Sequence, residues 1–390
     1  MAAEGKTFDF ELPTRIRFGA GVVKSVGEEA RSLGAEHILI ITDPGIVKAG
    51  IVDRILEALK EAGYENTEIF DGVEPNPRDT TVHKAYELAK SLGTDLLISV
   101  GGGSSIDTAK AVGALLEHGG QIKDYEFTDA EVLTKPITPL IAVPTTVGTG
   151  SEVTCWSVIT DTERHFKMTV GGHFAFPKVA LVDPELVATL PAGIVASTGM
   201  DALTHAIEGY TANSSEPVSD AYGLYAIELI AGNLREAALT NSKTAKANML
   251  LGSMMAGICF GSSNVAAVHS MAEALGGLYD TPHGIANAML LPIVMEFNYV
   301  ADYEKFSRIA IAMGEKADGC TKDELAHKAV LAVKKLNQDL RIPKLKEIGA
   351  KEEDFERLAA ACTENMATGD NIRKISYDDF LELYKIAYTL

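Results

Sequence analysis

The order of hydrophobic and polar positions divides the chain into two parts. In the first part, short and nearly continuous apolar runs cover residues 37–42, 67–70, 96–100 and 140–143. Amphipathic stretches with helical spacing lie between these runs, over residues 46–62, 80–91 and 106–116. Continuous apolar strands that alternate with helices are typical of a parallel sheet covered by helices on both faces. The first part therefore predicts an α/β domain.

The second part shows a different pattern. After Val182 the strand-like runs stop, and helical periodicity dominates from about residue 191 to the end, with breaks near Pro217, Pro282 and Pro343. A chain of 390 residues is also longer than one ordinary hydrophobic core requires, so two domains are expected. We place the boundary near residue 185, which gives an α/β domain over residues 1–185 and an all-α domain over residues 186–390.

Charge narrows the range of partners. The chain has 35 Lys and Arg residues against 54 Asp and Glu residues, a formal net charge of −19. Nucleic acids and anionic membrane surfaces both require basic patches, so neither is an expected partner. With 46% hydrophobic residues, the composition is that of a soluble globular protein, and its excess of acidic residues favours solubility.

Cysteine usage bears on the cellular compartment. The cysteines at positions 155, 259, 320 and 362 form no Cys-x-x-Cys pair, which favours a reducing compartment and offers no cysteine-based zinc site. The N-terminal residues lack the basic and then apolar run of a signal peptide. Residues 247–272 carry no charged side chain apart from His269, but their glycines and serines favour packed helices over a membrane span. We expect a cytoplasmic protein.

One carboxylate and three imidazoles form a candidate metal site. Asp201 and His205 stand four residues apart in a helix-compatible run, so their side chains share one helix face with Cβ atoms about 5–6 Å apart. His269 and His283 lie in two later segments, which only the folded chain could bring to the same place. A lone histidine is more often a hydrogen-bonded core residue or a surface residue than a ligand. The spacing by itself leaves both interpretations open.

A glycine-rich stretch, Gly101-Gly102-Gly103-Ser104, follows the apolar run at residues 96–100. It would lie at the carboxyl end of a parallel strand, where α/β sheets bind their ligands. Glycines let the backbone approach a phosphate closely, and the N–H groups at the start of the next helix favour an anion. The stretch is not the G-x-G-x-x-G fingerprint, and a tight strand-to-helix turn is the simpler explanation of a bare Gly-Gly-Gly.

Four longer motifs decide between these interpretations. They are GGGSSIDTAK, PTTVGTGSEVT, TGMDALTHAIEGY and AVHSMAEALGGLYDTPHGIANAMLLP. With them, the chain resembles the iron-containing (group III) alcohol dehydrogenase family from about Phe18 to its C-terminus. The resemblance implies a Rossmann-like sheet domain and a helical domain in a dehydroquinate synthase-like architecture. It also implies that Asp201, His205, His269 and His283 bind a divalent metal.

The resemblance further assigns residues to a dinucleotide cofactor. Gly102, Gly103 and Ser104 match the pyrophosphate-binding loop. Asp43 matches an aspartate that goes with a preference for NAD over NADP, although as the residue before Pro-Gly-Ile it is equally a helix N-cap. The remaining residues that the family pattern gives to the cofactor are Asn76, Thr145, Thr146, Thr149 and Lys167.

Three neutral imidazoles and one carboxylate suit Fe(II), Zn(II), Ni(II) or Mn(II), and the family name favours Fe(II). The resemblance implies that the metal polarises the oxygen of a primary alcohol or short diol while a hydride passes between its carbon and the nicotinamide. Many relatives carry a second histidine four residues after the ligand at 269, where this chain has Glu273. Glu273 is expected to accept a hydrogen bond from a ligand imidazole or, as a second choice, to relay a proton.

Other functions stay open at this point. A glycerol or polyol dehydrogenase shares the architecture, and so does a metal-dependent sugar-phosphate cyclase, which would need basic residues beside the metal to hold its acidic substrate. A nucleotide-binding regulator with a structural metal is a non-enzymatic alternative that turnover of any alcohol would dismiss. Small residues in the helical part and the habit of the family suggest a homodimer or a larger homo-oligomer.

Overall fold

The first part of the chain forms a six-stranded parallel sheet, seen here in a computed structural model that describes residues 7–128, 132–164 and 166–389. The order of the strands is β1-β8-β5-β4-β2-β3, and a separate antiparallel pair joins β6 to β7. The strands are β1 (Arg15–Phe18), β2 (Ile38–Thr42), β3 (Glu68–Phe70), β4 (Leu96–Gly101), β5 (Leu140–Pro144), β6 (Trp156–Asp161), β7 (Phe166–Gly171) and β8 (Val179–Val182).

Helices cover this sheet and make up almost all of the second part of the chain. Those of the first part are α1 (Val26–Ser32), α2 (Pro44–Lys48), α3 (Ile51–Glu61), α4 (Asp79–Leu92), α5 (Gly103–His118) and α6 (Pro184–Val187). Those of the second part are α7 (Ala192–Thr211), α8 (Pro217–Leu239), α9 (Lys243–Ser263), α10 (Ala267–Tyr279), α11 (His283–Asn298), α12 (Tyr303–Ala312), α13 (Lys322–Leu340), α14 (Phe355–Glu364) and α15 (Tyr377–Thr389). The predicted fold class, a parallel α/β part followed by a helical part, is confirmed.

The central strands are apolar throughout because both of their faces are buried. Along β2, Ile38 and Ile40 pack into one hydrophobic cluster with side chains of α1 and α3. Leu39 and Ile41 alternate with them and pack into a second cluster with side chains of α4 and α5. The period-two alternation of a strand thus explains why no polar position interrupts the sequence pattern.

Two local features differ from the sequence prediction. The predicted helix over residues 46–62 is broken into α2 and α3, because Gly50 adopts a left-handed conformation with φ of 70°. The antiparallel pair of β6 and β7 was not predicted, since its half-buried positions give no clear alternation in the sequence. This pair carries Lys167, the second residue of β7, opposite Thr160 of β6.

The chain divides into two compact units. The first, called here the sheet unit, comprises Leu12–Thr146 and Gly150–Thr189. The second, called the helical unit, comprises Leu190–Leu390, the short segment Val147–Thr149 and N-terminal residues up to Glu11. The three-residue segment therefore belongs to a different unit from its neighbours in the chain.

Buried helices form the core of the helical unit. Helix α7 is buried continuously from Gly199 to Thr211 and packs against α8, α9 and α11. Residues His283–Ala301 are long and apolar enough to cross a membrane, but 61% of that stretch is buried inside the protein. Helices α9 and α10, which contain the uncharged stretch of the sequence, are bent by 102° relative to one another. These features are those of core helices.

Candidate metal centre and cofactor loop

The four residues predicted to bind a metal meet in one cluster of the helical unit. Asp201 and His205 lie on α7, His269 lies in the first turn of α10, and His283 begins α11. One potential ligand atom from each residue lies within 4.8 Å of the others. The side chains of Asp201, His205 and His269 are buried, whereas that of His283 is 30% exposed. The cluster is therefore closed on most sides and open at His283.

Hydrogen bonds orient two of the imidazole rings. Nδ1 of His269 lies 2.6 Å from a carboxylate oxygen of Glu208, and Nδ1 of His205 lies 3.3 Å from the carbonyl oxygen of Gly148. Because both of these oxygens accept, the proton of each neutral ring belongs on Nδ1. Nε2 of each ring then keeps its lone pair, which is the form that binds a metal.

The amide of Asn287 shows where the ligand atoms converge. Its Nδ2 donates to Oδ1 of Asp201 at 2.7 Å and lies 3.2 Å from Nε2 of both His269 and His283. Oδ1 of Asp201 is 3.6 Å from Nε2 of His283, close to the ~3.4 Å that separates tetrahedral ligands bound at about 2.0–2.1 Å. Several acceptors that converge on one donor suit a cation, so these residues fit a divalent metal.

Burial and neighbouring polar groups together set the protonation of the cluster. It lowers the pKa of His205 to about 4, so this imidazole is neutral at pH 7. Burial alone would raise the pKa of Asp201, but the three neighbouring imidazoles and the hydrogen bond from Asn287 bring it below its ordinary value. An ionised carboxylate and a neutral imidazole are the states that a metal requires.

Glu273 makes a different contact from the one expected. Its carboxylate accepts a hydrogen bond from Nδ2 of Asn365 at 2.7 Å. The carboxylate that accepts from the His269 imidazole is that of Glu208, which sequence reasoning did not select. Asn287 was also missed. Helical spacing could have indicated both, because Glu208 lies three residues after His205 and Asn287 lies four residues after His283.

The glycine stretch forms a tight turn at the carboxyl end of β4 in the sheet unit. A Cβ atom on Gly101 would lie 2.3 Å from the hydroxyl of Ser105, and one on Gly102 would lie 2.9 Å from Cγ2 of Thr146. Helix α5 begins at Gly103 with Gly102 as its N-cap, three residues before the helical stretch predicted from residue 106. This 16-residue helix presents the N–H groups of its first turn at half-buried Gly103 and Ser104, which suits a phosphate.

The other residues predicted to bind the cofactor occupy several places. Asp43 caps α2 through Oδ1, which accepts from the N–H groups of Gly45 and Ile46, while its Oδ2 faces Gly101. The N-cap interpretation is thus realised, and one oxygen is still directed to the glycine turn. Lys167 on β7 donates to Oδ1 of Asn76 at 2.8 Å.

The three threonines of the second loop differ in environment. Thr145 donates its backbone N–H to the carbonyl of Gly101, and its side chain is buried, whereas Thr146 is half-buried beside Gly102. Thr149 is half-buried and belongs to the helical unit. Of these residues, Thr146 offers the more accessible hydroxyl at the glycine turn.

Polar side chains of α5, the helix that follows the glycine turn, form hydrogen bonds with residues 151–158. Lys110 on α5 donates to the hydroxyls of Ser151 and Thr154 and to the carbonyl of Trp156. The neighbouring Asp107 accepts from Ser151 and from the N–H of Val158. These contacts tie α5 to the segment that follows the second loop.

The buried carboxyl group of Glu152, in this same segment, should make the stability of the protein depend on pH. It is 2% exposed, and burial raises the pKa of its carboxyl group to about 7 from an ordinary 4.5. The folded protein therefore holds a proton that the unfolded chain releases between about pH 4.5 and pH 7. As the pH rises through this window, Glu152 lowers the free energy of unfolding by about 3 kcal/mol.

Glu152→Gln removes this ionisation, so the variant should gain stability relative to the wild type as the pH rises from 5 to 8. Thermal unfolding of the cofactor-free proteins at both pH values measures the gain. Glu163→Gln is the matched control, because Glu163 is an exposed residue of the same unit. An equal wild-type-to-variant difference at pH 5 and pH 8 would contradict the buried, protonated state.

Comparisons with known proteins place this geometry in context. Residues 13–184 match the family model described as iron-containing alcohol dehydrogenase. Residues 195–388 match the model of the C-terminal region of the Fe-containing alcohol dehydrogenase family. The two matches together cover most of the chain.

Individual relatives extend the likeness over the whole chain. A 1,3-propanediol dehydrogenase from Klebsiella pneumoniae is 41% identical over 98% of this chain and 99% of the relative. An NAD-dependent methanol dehydrogenase from Bacillus methanolicus is 39% identical over 97% of this chain and 99% of the relative. The crystal structure of a 1,3-propanediol oxidoreductase superposes with a TM-score of 0.95 at 41% identity, covering 98% of this chain and 100% of that structure.

Proposed function

The chain belongs to the iron-containing alcohol dehydrogenase family, and from this premise we propose that it interconverts a primary alcohol or short diol and the corresponding aldehyde. NAD and a divalent metal are its cofactors. The observation that carries the proposal is that potential ligand atoms, one each from Asp201, His205, His269 and His283, lie within 4.8 Å of one another. Relatives that act on a diol and on methanol support small primary alcohols as substrates.

Asp201, His205, His269 and His283 would hold the metal beside the reacting oxygen. When bound, the metal supplies Lewis-acid polarisation of that oxygen, and NAD accepts or gives the hydride. The chain's own contribution is to hold one carboxylate and two buried imidazoles rigidly, with Nδ1 of His205 and His269 engaged by fixed oxygens. His283 is the most exposed of the four proposed ligands. We therefore place substrate entry at the open side of the cluster beside His283. Of the four metals, we propose Fe(II) first.

We assign cofactor binding mainly to residues 1–185 and metal and substrate binding to residues 186–390. In this assignment, Gly102, Gly103 and Ser104 bind the pyrophosphate, and Asn76, Thr145, Thr146, Thr149 and Lys167 complete the cofactor site. Oδ2 of Asp43, which faces Gly101, would accept a hydrogen bond from the adenosine ribose and repel a 2′-phosphate. We propose that Glu273, one helical turn after His269 on α10, belongs to the polar surroundings of the metal or relays a proton.

We also propose that the enzyme is a cytoplasmic homo-oligomer. All four cysteines are free thiols, which agrees with a reducing compartment. The net charge of −19 agrees with a small-molecule enzyme that binds neither nucleic acid nor anionic membranes. A polyol dehydrogenase would differ from the proposed enzyme only in its alcohol, so the substrate panel separates the two.

The test combines metal analysis with a panel of alcohols. The full-length protein is purified without oxygen, its metal is measured, and methanol, ethanol, 1,3-propanediol and glycerol are assayed for NADH at 340 nm. We expect about one divalent metal per chain, turnover of primary alcohols, and a kcat/KM at least about tenfold higher with NAD than with NADP, because of charge repulsion at Asp43. Metal-loaded protein that turns over no alcohol and reduces no aldehyde would end the proposal.

A further inference from the structure

Glu208 is a buried acid whose carboxylate, within the described part of the chain, contacts residues at the start of the helix that carries a ligand histidine. It lies on α7, one helical turn after His205, and is 3% exposed. Oε1 accepts from the N–H of Val268 at 2.6 Å. Oε2 accepts from the N–H of Ala266 at 3.0 Å and lies 2.6 Å from Nδ1 of His269. A single side chain of α7 thus contacts both the backbone and the imidazole at the start of α10.

The backbone bonds place the first turn of α10. This helix begins at Ala267, and its N-cap residue, Ala266, has no side chain that could accept a hydrogen bond. Glu208 supplies the missing cap from another helix, and the N–H of His269 also points to it at 3.4 Å. His269 is the third residue of this turn, so the cap determines where the ligand sits as well as how its ring is turned.

Charge balance gives Glu208 a second role. Each of its contacts is a donor, so the carboxylate is satisfied as an anion. A divalent cation held by Asp201 and three neutral imidazoles would leave one positive charge uncompensated in a buried site. Glu208, joined to the cation through the His269 ring, supplies the second negative charge, and burial of an unbalanced charge is thereby avoided.

We propose that Glu208 is a positioning residue of the metal centre, which holds His269 with Nε2 toward the metal and balances the charge of a divalent cation. The inference rests on the proposed metal site. It concerns metal affinity and ligand geometry, so it is tested without alcohol turnover.

The test compares wild type with Glu208→Gln. Full-length protein is stripped with a chelator and titrated with Zn²⁺ in competition with a chromophoric chelator, and with Co²⁺ followed by its visible absorption. The glutamine lacks the charge, and its NH2 group would face a backbone N–H. We expect the Kd for Zn²⁺ to rise about 10–100-fold and the Co²⁺ spectrum to shift. Glu208→Asp keeps the charge but has a shorter side chain, so its Kd for Zn²⁺ should lie between those of the wild type and Glu208→Gln.

Glu216→Gln is the control for a purely structural role. Glu216 is also a 3% exposed carboxylate that caps a helix, accepting from the N–H groups of Val218 and Ser219, but it contacts no ligand histidine. We expect this variant to lower the melting temperature and leave the Zn²⁺ Kd unchanged.

A wild-type Zn²⁺ Kd and Co²⁺ spectrum in Glu208→Gln would overturn the inference. If that variant does not fold, Glu208→Asp decides in the same way. Suppose that the wild type binds metal, that Glu208→Gln weakens this binding, and that the wild type turns over no alcohol. This outcome would refute the proposed function and leave the inference about Glu208 standing.

Discussion

Replacing His269 with alanine is expected to remove the bound metal and to lower kcat/KM for alcohol oxidation by about a thousandfold or more. The substitution takes away one of the four proposed ligands and leaves Glu208 without its imidazole partner. Lewis-acid stabilisation is worth several kcal/mol in the transition state, and each 1.4 kcal/mol is a factor of ten in rate. The measurement is metal content together with steady-state kinetics of the same preparation.

NAD affinity provides the internal control, because the glycine turn that we propose to bind NAD belongs to the sheet unit and His269 belongs to the helical unit. Binding of NAD should change little. His327→Ala is the matched histidine control: His327 lies on α13, contacts Glu296, and is outside the metal cluster. Wild-type metal content in the His269 variant would remove His269 from the ligand set, whatever its activity.

Replacing Gly284 with alanine should separate the ligand-bearing helices. Gly284 follows His283 at the start of α11, and its added Cβ would lie 2.3 Å from the carbonyl oxygen of Ser197 on α7. The same Cβ would also lie 3.3 Å from Cβ of Asp201. Since backbone atoms cannot turn aside as a side chain does, α11 must move away from α7. We expect a loss of stability of about 1–3 kcal/mol.

The larger consequence is for metal binding. Metal–ligand distances tolerate shifts of only about 0.2 Å, so a displaced His283 should weaken metal affinity by at least about tenfold. Gly277→Ala is the control, because Gly277 is an exposed glycine inside α10 with open space around a new Cβ. That variant should instead be more stable, by about 0.5–1 kcal/mol, since alanine favours the helix. An unchanged metal Kd in Gly284→Ala would show that the spacing of α7 and α11 does not control the site.

The sequence predicted the elements whose pattern is local. Buried strands of the parallel sheet are read directly from continuous apolar runs, because both faces of each strand are covered. Helix limits were predicted within a few residues at α4 and α5, but the break between α2 and α3 was missed. That break depends on the conformation of one glycine, Gly50, and the neighbouring apolar periodicity passes over it. The pair of β6 and β7 was missed because polar Ser157 and Asp161 share the buried face of β6 with Ile159, so burial alternates along this strand without a matching alternation of apolar residues.

The four predicted metal ligands also differ in how far the sequence alone could identify them. The Asp201 and His205 pair is visible in the sequence, because four residues bring two side chains to one face of a helix. His269 and His283 could be joined to that pair only through the resemblance to a family. In the structure, the four side chains lie together in one cluster.

The sequence by itself thus determined the fold class, the family, the acidic surface and the identity of the chemical groups, because residue type and short-range spacing are written along the chain. Only the tertiary structure decided which carboxylate accepts a hydrogen bond from which histidine. Glu273 shares a helix with His269, yet Glu208 reaches its imidazole from α7, sixty-one residues earlier in the chain. Hydrogen bonding depends on distance and direction in space, and these are fixed by how helices pack rather than by their order in the sequence.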